Sequence, residues 1–259
     1  MNYEAILVEC KEHIGIITLN RPEQLNTFNK VLAIELNTAL EELDKNDEIR
    51  VVIIKGAGRA FCAGIDVKEM FEQRDNAESL KWIESMENNS LIMARMAKPV
   101  IASVHNIAVA NGIGVVASAD LAIAAEGTKF GATAVNVGLF CMGPAVPLSR
   151  NLGRKKALEL LLTGDMIDAE EAERIGLINK VVPIDKLEEE TMNMARKLAT
   201  KSPLGVQLGK KSFYKMADLE YSKAMELVNN HFIMLLNTED AHEGVEAFLN
   251  KRAPKWKMK

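Results

Sequence analysis

The stretch 98–126, KPVIASVHNIAVANGIGVVASADLAIAAE, constrains the fold more than any other part of the sequence. Val100 to Val104 is a short run of β-branched and small residues, and Leu121 to Ala125 is a second apolar run, so each predicts a buried strand. The glycine-rich segment between them predicts a turn and a short helix. Polar residues interrupt the apolar character of the stretch, which therefore indicates a buried strand–turn–helix–strand rather than a membrane span. We expect no membrane partner.

The middle of this stretch, AVANGIGV, has the features of an anion site at a helix start. Asn111 is a suitable N-cap residue, whereas Gly112 and Gly114 in the first turn each cost roughly 1 kcal/mol against alanine. Glycines at such positions suit a close approach to the backbone. The first N–H groups of a helix lack internal partners and favour negative charge. The segment therefore predicts a site for a phosphate or a developing oxyanion.

Composition excludes several classes of protein. The formal net charge of −4, from 32 basic and 36 acidic residues, gives no basic excess for nucleic-acid binding. The three cysteines are widely spaced, odd in number and without a CxxC pair, which argues against a disulfide framework and a cysteine-rich metal site. The N-terminus shows no secretion signal. We therefore expect a cytoplasmic protein with neither a metal nor nucleic acid.

The rest of the chain alternates strands and helices and then becomes purely helical. Residues 3–20 predict a hairpin, 30–46 a helix and 51–54 a short buried strand. Capping patterns at Asp168, Asp185 and Ser202 predict three later helix starts. No strand pattern follows residue 184. We therefore predict an α/β core at 1–195 and a helical region at 196–259.

One interpretation of the glycine-rich centre is a dinucleotide site. Gly112, Gly114 and Ala117 fit the pattern GxGxxA after a strand. The following helix is only about two turns long, whereas a βαβ crossover needs a dozen residues or more. The next acidic residue, Glu126, also comes too soon for the ribose contact. A dinucleotide-dependent oxidoreductase is therefore a disfavoured alternative.

A second interpretation is an oxyanion hole made by two loops. The segment AFCAGID offers Gly64 for a sharp turn and the N–H of Ile65 as a donor, beside the donors of AVANG. Two backbone N–H groups aimed at one thioester oxygen would stabilise an enolate by several kcal/mol. Either loop alone is also consistent with an ordinary tight turn.

Taken together, these segments resemble the crotonase, or enoyl-CoA hydratase/isomerase, superfamily. The similar segments are RAFCAGIDVKEM, KPVIASVHNIAVANG, LTGDMIDAEEAERIGLINKVVP and TEDAHEGVEAFLNKRAPKW, and the similarity begins at NRPEQLN near the start. It covers essentially the whole chain. The section VNVGLFCMGPAVPLSR is more similar to the enoyl-CoA hydratase domain-containing protein 3 subgroup than to the hydratases themselves.

The resemblance implies a spiral of ββα units whose C-terminal helices pack across subunits, giving a homotrimer or a hexamer built from two trimers. It implies an acyl-CoA substrate and no further cofactor, with the thioester oxygen held by the N–H groups of Ile65 and Asn111. The other implied substrate contacts, some of them from a neighbouring subunit, are Leu25, Ala63, Gly64, Asp66, Lys68, Gly112, Phe248 and Lys251.

The chain departs from this family at the residues that move protons. Typical hydratases of the family use two glutamates, whose positions fall here on Gly114 and Ala134; the acid of related dienoyl isomerases falls near Met142. Ordinary hydration is therefore doubtful. An acyl-CoA decarboxylase or hydrolase of the same fold, and a non-catalytic acyl-CoA-binding or assembly protein, remain alternatives. Other polar groups that could act in the site are Glu69, Thr133, Asn136, Cys141 and His231.

Overall fold

The computed structural model describes residues 3–72 and 75–259 and shows an α/β fold. Its strands are β1 (Ile6–Lys11), β2 (Ile14–Leu19), β3 (Val51–Gly56), β4 (Val100–Val104), β5 (Ile107–Val109), β6 (Leu121–Ala125), β7 (Lys129–Gly131), β8 (Met166–Asp168) and β9 (Lys180–Val182). Its α-helices are α1 (Lys30–Lys45), α2 (Val67–Met70), α3 (Asn76–Arg95), α4 (Asn111–Ser118), α5 (Met142–Asn151), α6 (Arg154–Thr163), α7 (Ala169–Arg174), α8 (Leu187–Ala199), α9 (Pro203–Met216), α10 (Tyr221–Leu236) and α11 (Glu239–Leu249). Short 3-10 helices cover Pro22–Gln24, Thr133–Val137 and Ile184–Lys186.

The larger sheet has the strand order β1-β2-β3-β4-β6-β9. Strands β1 and β2 form an antiparallel hairpin, as the sequence predicts, and the remaining neighbours are parallel. Parallel neighbours need crossover connections, and the crossing helices cover both faces of the sheet. Every residue of β2 and β4 is accordingly buried. On one face α8 packs its Met192 and Ala195 against the sheet.

The smaller sheet joins β5, β7 and β8 and positions the glycine-rich stretch. Its strand β5 also forms a parallel bridge from Ala108 to Cys62, and a second bridge joins Phe28 to Ile65. The segment 60–66 therefore runs directly alongside β5. The predicted strand–turn–helix–strand of 98–126 is confirmed as β4, β5, α4 and β6.

The three predicted capping positions have different outcomes. The Asp168 side chain accepts from the Glu171 N–H at 2.9 Å, and the Ser202 hydroxyl accepts from the Gly205 N–H at 3.1 Å, so both caps are confirmed. The cap at Asp185 is wrong. The chain after Pro183 first makes a 3-10 turn that contains Asp185, and α8 then starts at Leu187 without a side-chain cap.

The C-terminal helices dock on the core through one buried polar cluster. The Lys210 Nζ of α9 lies 2.6 Å from Asp120 Oδ2, and the Tyr214 hydroxyl lies 3.0 Å from Asp120 Oδ1. Asp120 also accepts from the backbone N–H of Val100 at 2.7 Å, which ties α9 to the start of β4. The boundary at residue 195 stays a prediction, and α8 runs across it.

Helix α10 is the least covered element of this region. None of its residues is buried, and the apolar side chains of Phe232, Ile233 and Met234 are each more than half exposed. Its Ala224, Leu227, Val228, His231 and Leu235 form the half-buried face, as their spacing predicts. Among the residues that the structure describes, no helix combines the length and apolar character needed to cross a membrane.

Candidate functional site

The two glycine loops singled out in the sequence lie in direct contact. The Cys62 N–H donates to the Ile107 carbonyl, and the Val109 N–H donates back to the Cys62 carbonyl, each at 3.1 Å. A Cβ placed on Gly112 would lie 2.3 Å from the Cys62 carbonyl oxygen, so only glycine allows this approach. The role of Gly112 is therefore to let α4 begin against the neighbouring loop.

This contact brings Ile65 and Asn111 to one cavity. Gly64 has φ +106° and its carbonyl accepts from Phe28, while the N–H of Asp66 donates to Phe28. Within residues 3–72 and 75–259, neither the Ile65 N–H nor the Asn111 N–H has a hydrogen-bond acceptor. Both residues line the same cavity. Two unsatisfied backbone donors on residues that line one cavity are what an oxyanion hole requires.

The predicted N-cap at Asn111 is wrong by one residue. Asn111 is the first residue of α4, and the cap position belongs to Ala110, which has φ 48° and ψ −114° and no side-chain cap. The Ala110 N–H donates to the Gly131 carbonyl at 2.9 Å, which holds the chain in this sharp reversal. Such a conformation costs an L-residue on the order of 1–3 kcal/mol. Asn111 is therefore the first residue of the helix, and its N–H is one of the donors without an intrahelical partner.

The cavity has a volume of ≈ 550 Å³ and a largely apolar wall. Its walls come from α2, the first half of α3, the start of α4 and the segment 133–144. A space of this size fits the acyl portion of a ligand. Within the described residues, no group of His, Cys, Asp or Glu side chains is arranged to hold a metal ion.

Among the described residues, Glu87 of α3 is the acidic residue in this wall, and no sequence motif predicts it. Burial raises the pKa of its carboxyl from the ordinary 4.5 to about 7. A Cβ placed on Gly143 would lie 1.8 Å from the Glu87 carboxyl carbon, so the carboxyl packs directly over the first turn of α5. The pKa of the nearby Cys141 thiol is raised, chiefly by burial and in part by the charge of Glu87.

The sequence carried a weak signal for Glu87. Trp82, Met86, Asn89 and Met93 form the buried stripe of α3, and Glu87 lies at the edge of that stripe. An acidic residue at the edge of an amphipathic helix is normally solvated. Only the arrangement of α4 and α5 shows that this edge is covered.

Gly114 and Ala134, at which the resemblance predicts the two family glutamates, differ in the space around them. A Cβ on Gly114 would lie 3.1 Å from the Pro144 Cγ, so Pro144 occupies the space that a longer side chain would need. Ala134 lines the cavity and is partly exposed. The exposed Met142 side chain at the start of α5 also lines the cavity.

The other polar candidates mostly have structural partners. The Glu69 carboxylate accepts from the Trp82 indole at 2.6 Å and from the Lys30 N–H at 2.8 Å, which ties α1, α2 and α3 together. The His231 Nδ1 lies 2.6 Å from the Ser212 hydroxyl. Thr133 and Cys141 line the cavity. The Asn136 side chain donates to the Gly164 carbonyl.

The predicted substrate contacts at the first loop lie together. Ala63 and Ile65 line the cavity, and the Ala63 N–H donates to the Leu25 carbonyl at 2.9 Å. The Asp66 carboxylate pairs with Arg21 at 3.2 Å. The negative charge of Asp66 is therefore balanced by Arg21 of the same chain.

The predicted contacts farther along the chain do not reach the cavity within one subunit. Lys68 is exposed on α2. Phe248 is 82% exposed on α11, Lys251 is exposed just beyond that helix, and neither lines the cavity. Their contacts from a neighbouring subunit stay predictions.

An α/β spiral with a two-loop donor pair at an apolar cavity defines the crotonase fold class, and comparisons with known proteins agree. The family model for enoyl-CoA hydratase/isomerase matches residues 9–259. The chain therefore belongs to the enoyl-CoA hydratase/isomerase family, which is also called the crotonase family.

Individual relatives place the chain near one subgroup. It is 36% identical to the rat mitochondrial enoyl-CoA hydratase domain-containing protein 3, over 98% of this chain and 85% of the relative. It is also 36% identical to a probable enoyl-CoA hydratase of Rhizobium meliloti, over 99% of both chains. The crystal structure of the human enoyl-CoA hydratase domain-containing protein 3 superposes with a TM-score of 0.94 at 36% identity, over 98% of this chain and 100% of that one.

Proposed function

We propose that this chain binds acyl-CoA thioesters and is an enzyme of the hydratase/isomerase type that stabilises an enolate. The observation that carries the proposal is the pair of unsatisfied N–H groups, from Ile65 and Asn111, at one apolar cavity. A thioester oxygen placed between them would gain two hydrogen bonds as negative charge develops. The coenzyme A enters as part of the substrate, and the chemistry needs no further cofactor.

Ordinary hydration is not the reaction that this site favours. Gly114 and Ala134 carry no proton, and the space beyond Gly114 holds Pro144. Hydration of an enoyl thioester requires a positioned water that loses a proton as it attacks the β-carbon, and a proton delivered to the α-carbon. A non-catalytic acyl-CoA-binding protein, a decarboxylase and a hydrolase are the alternative proposals.

The three free cysteines support a reducing, cytoplasmic compartment.

Calorimetric titration with butyryl-CoA, crotonyl-CoA and free CoA tests the binding. We expect saturable binding of the acyl-CoAs with dissociation constants from about 1 μM to 1 mM, the usual range for enzyme substrates. We expect hydration of crotonyl-CoA, followed by the loss of enoyl-thioester absorbance, to be at least about 100-fold slower than in a relative with both glutamates. Absence of heat with every acyl-CoA at millimolar concentration would refute the proposal. Saturable NADH binding in its place would favour the dinucleotide alternative.

We also propose that the chain assembles as a trimer or as a pair of trimers. The support is α10, whose Phe232, Ile233 and Met234 expose apolar surface that a monomer would leave in water. Light scattering during size exclusion should give three or six times the monomer mass. The substitution Phe232→Glu should shift that mass toward the monomer because it buries a charge at the contact. A wild-type monomer at micromolar concentration would exclude the assembly.

A further inference from the structure

We propose that Glu87, supplied by α3, is the group that exchanges a proton with the carbon next to the thioester carbonyl, in place of the two absent family glutamates. The inference rests on the proposed acyl-CoA binding. It adds to that function the residue that moves the proton, the helix from which that residue approaches the substrate, and the class of acyl group.

The first support is position. Glu87, Ile65 and Asn111 line the same ≈ 550 Å³ cavity. Glu87 and Asn111 also border an adjoining void with Gly114 in its wall, and this void of ≈ 10 Å³ is barely large enough for one water molecule. The Glu87 side chain therefore approaches from α3 to the same small void that the start of α4 borders.

The second support is the space reserved for the carboxyl. A side chain at position 143 would force the Glu87 carboxyl out of this place, because a Cβ there would lie 1.8 Å from its carboxyl carbon. Glycine at position 143 of α5 thus leaves room for the Glu87 carboxyl. Helix α4 carries no carboxylate at this cavity, and α3 supplies one.

The third support is the lack of a structural role. Within the described residues, Glu87 makes no hydrogen bond and no ion pair, whereas Glu69 on the neighbouring α2 holds Trp82 and the start of α1. A mostly buried carboxyl without a partner destabilises the fold. Titratable groups that are buried beside a cavity at a cost in stability are characteristic of functional sites.

The protonation state suits proton exchange in both directions. With a pKa raised to about 7, Glu87 is present as both acid and base near neutral pH. The titratable group that faces it is the Cys141 thiol, whose pKa is raised above its ordinary value. Helix α4 carries no titratable residue, and on α5 Arg150 pairs with Asp218 on the surface. Glu84, on the same helix as Glu87, is exposed.

The chemical step balances without a co-reactant. The Glu87 carboxylate takes a proton from the α-carbon, the C–H electron pair forms a double bond to the carbonyl carbon, and the carbonyl π pair moves to the thioester oxygen. The N–H groups of Ile65 and Asn111 hold the resulting enolate. Return of the proton to the α-carbon is simple exchange. With a 3-enoyl thioester, delivery of the proton to the γ-carbon instead moves the double bond into conjugation. A single carboxyl suffices for either outcome.

The charge of the wall indicates the class of acyl group. None of the described residues that line the cavity is Lys, Arg or His, and Glu87 is the charged member. An acyl group with its own carboxylate would meet like charge and no counterion. The geometry therefore favours uncharged acyl chains over malonyl or glutaconyl types.

The test is deuterium incorporation at the α-carbon of butyryl-CoA in D2O, followed by mass spectrometry. Butyryl-CoA is a simple saturated thioester, so the assay applies whatever the physiological acyl group is. The wild-type protein should catalyse exchange, and Glu87→Gln should slow it at least about 100-fold while the calorimetric affinity for butyryl-CoA changes less than about threefold. Glu87→Asp should retain part of the rate. The matched control Glu84→Gln should behave as wild type. The wild-type rate should rise with pH to a plateau, with its midpoint near 7.

The outcomes separate the two proposals. Absence of butyryl-CoA binding by the wild-type protein would overturn the proposed function and this inference with it. Binding without exchange, or equal exchange by the wild type and a folded Glu87→Gln variant, would overturn the inference alone. If Glu87→Gln fails to fold, a pH profile of wild-type exchange without a midpoint between about 6 and 8 overturns it.

Discussion

Replacing Gly112 with alanine should lower the free energy of unfolding by about 3 kcal/mol and slow α-carbon exchange by about 100-fold. The added Cβ would lie 2.3 Å from the Cys62 carbonyl oxygen and 3.1 Å from its carbonyl carbon. Because this neighbour is backbone, relief requires the two loops to separate, and overpacking of this kind costs about 1–3 kcal/mol or more. The separation would also move the Asn111 N–H relative to that of Ile65. A displacement of about 1 Å at a reacting centre can cost about 100-fold in rate.

The measurement is urea unfolding at a fixed protein concentration, combined with the butyryl-CoA exchange assay. Gly209→Ala is the matched control, because Gly209 lies exposed within α9 and a Cβ there meets nothing within 4 Å. That control should be as stable as wild type or gain up to about 1 kcal/mol. A Gly112→Ala variant as stable and as active as the control would show that the loop contact does not set the site.

Replacing Glu87 with glutamine should stabilise the folded protein at pH 8, by about 2 kcal/mol. Burial raises the folded-state pKa of Glu87 from 4.5 to about 7, so folding costs free energy whenever this carboxyl must be charged. Below about pH 4.5 the group is protonated in both states and the penalty vanishes. As pH rises through about 7 the penalty becomes complete. The gain from glutamine should therefore grow between these pH values.

Urea unfolding of the wild type and of Glu87→Gln at pH 5 and pH 8 tests whether the substitution raises the free energy of unfolding. The variant Glu84→Gln, on the exposed face of the same helix, should differ from wild type by less than about 0.5 kcal/mol at either pH. A Glu87→Gln variant that is less stable than wild type at pH 8 would mean that the carboxylate has a stabilising partner. Together with the exchange assay, the expected result would show that Glu87 lowers the stability of the fold and transfers the proton.

Local pattern was sufficient to predict the two donor loops. Gly64 and Gly112 mark the two turns within short windows of sequence, and the donors that follow from them, at Ile65 and Asn111, do line one cavity. The cap at Ala110 was missed because a positive φ is not expected of alanine. The hydrogen bond from Ala110 to Gly131 that holds this conformation joins two strands that are not adjacent in sequence. Local preference could not reveal it.

The sequence by itself determined the α/β class, the crotonase family, the two glycine turns and the absence of carboxyl groups at positions 114 and 134. These features follow from residue types at fixed spacings, which act through local backbone geometry. Only the tertiary structure decided that Glu87 is the acidic group at the cavity. The periodicity of α3 separates its buried face from its exposed face, but the environment at the edge of that face depends on other helices. Gly143, on α5, leaves the space that the Glu87 carboxyl enters, and burial there raises the pKa of Glu87.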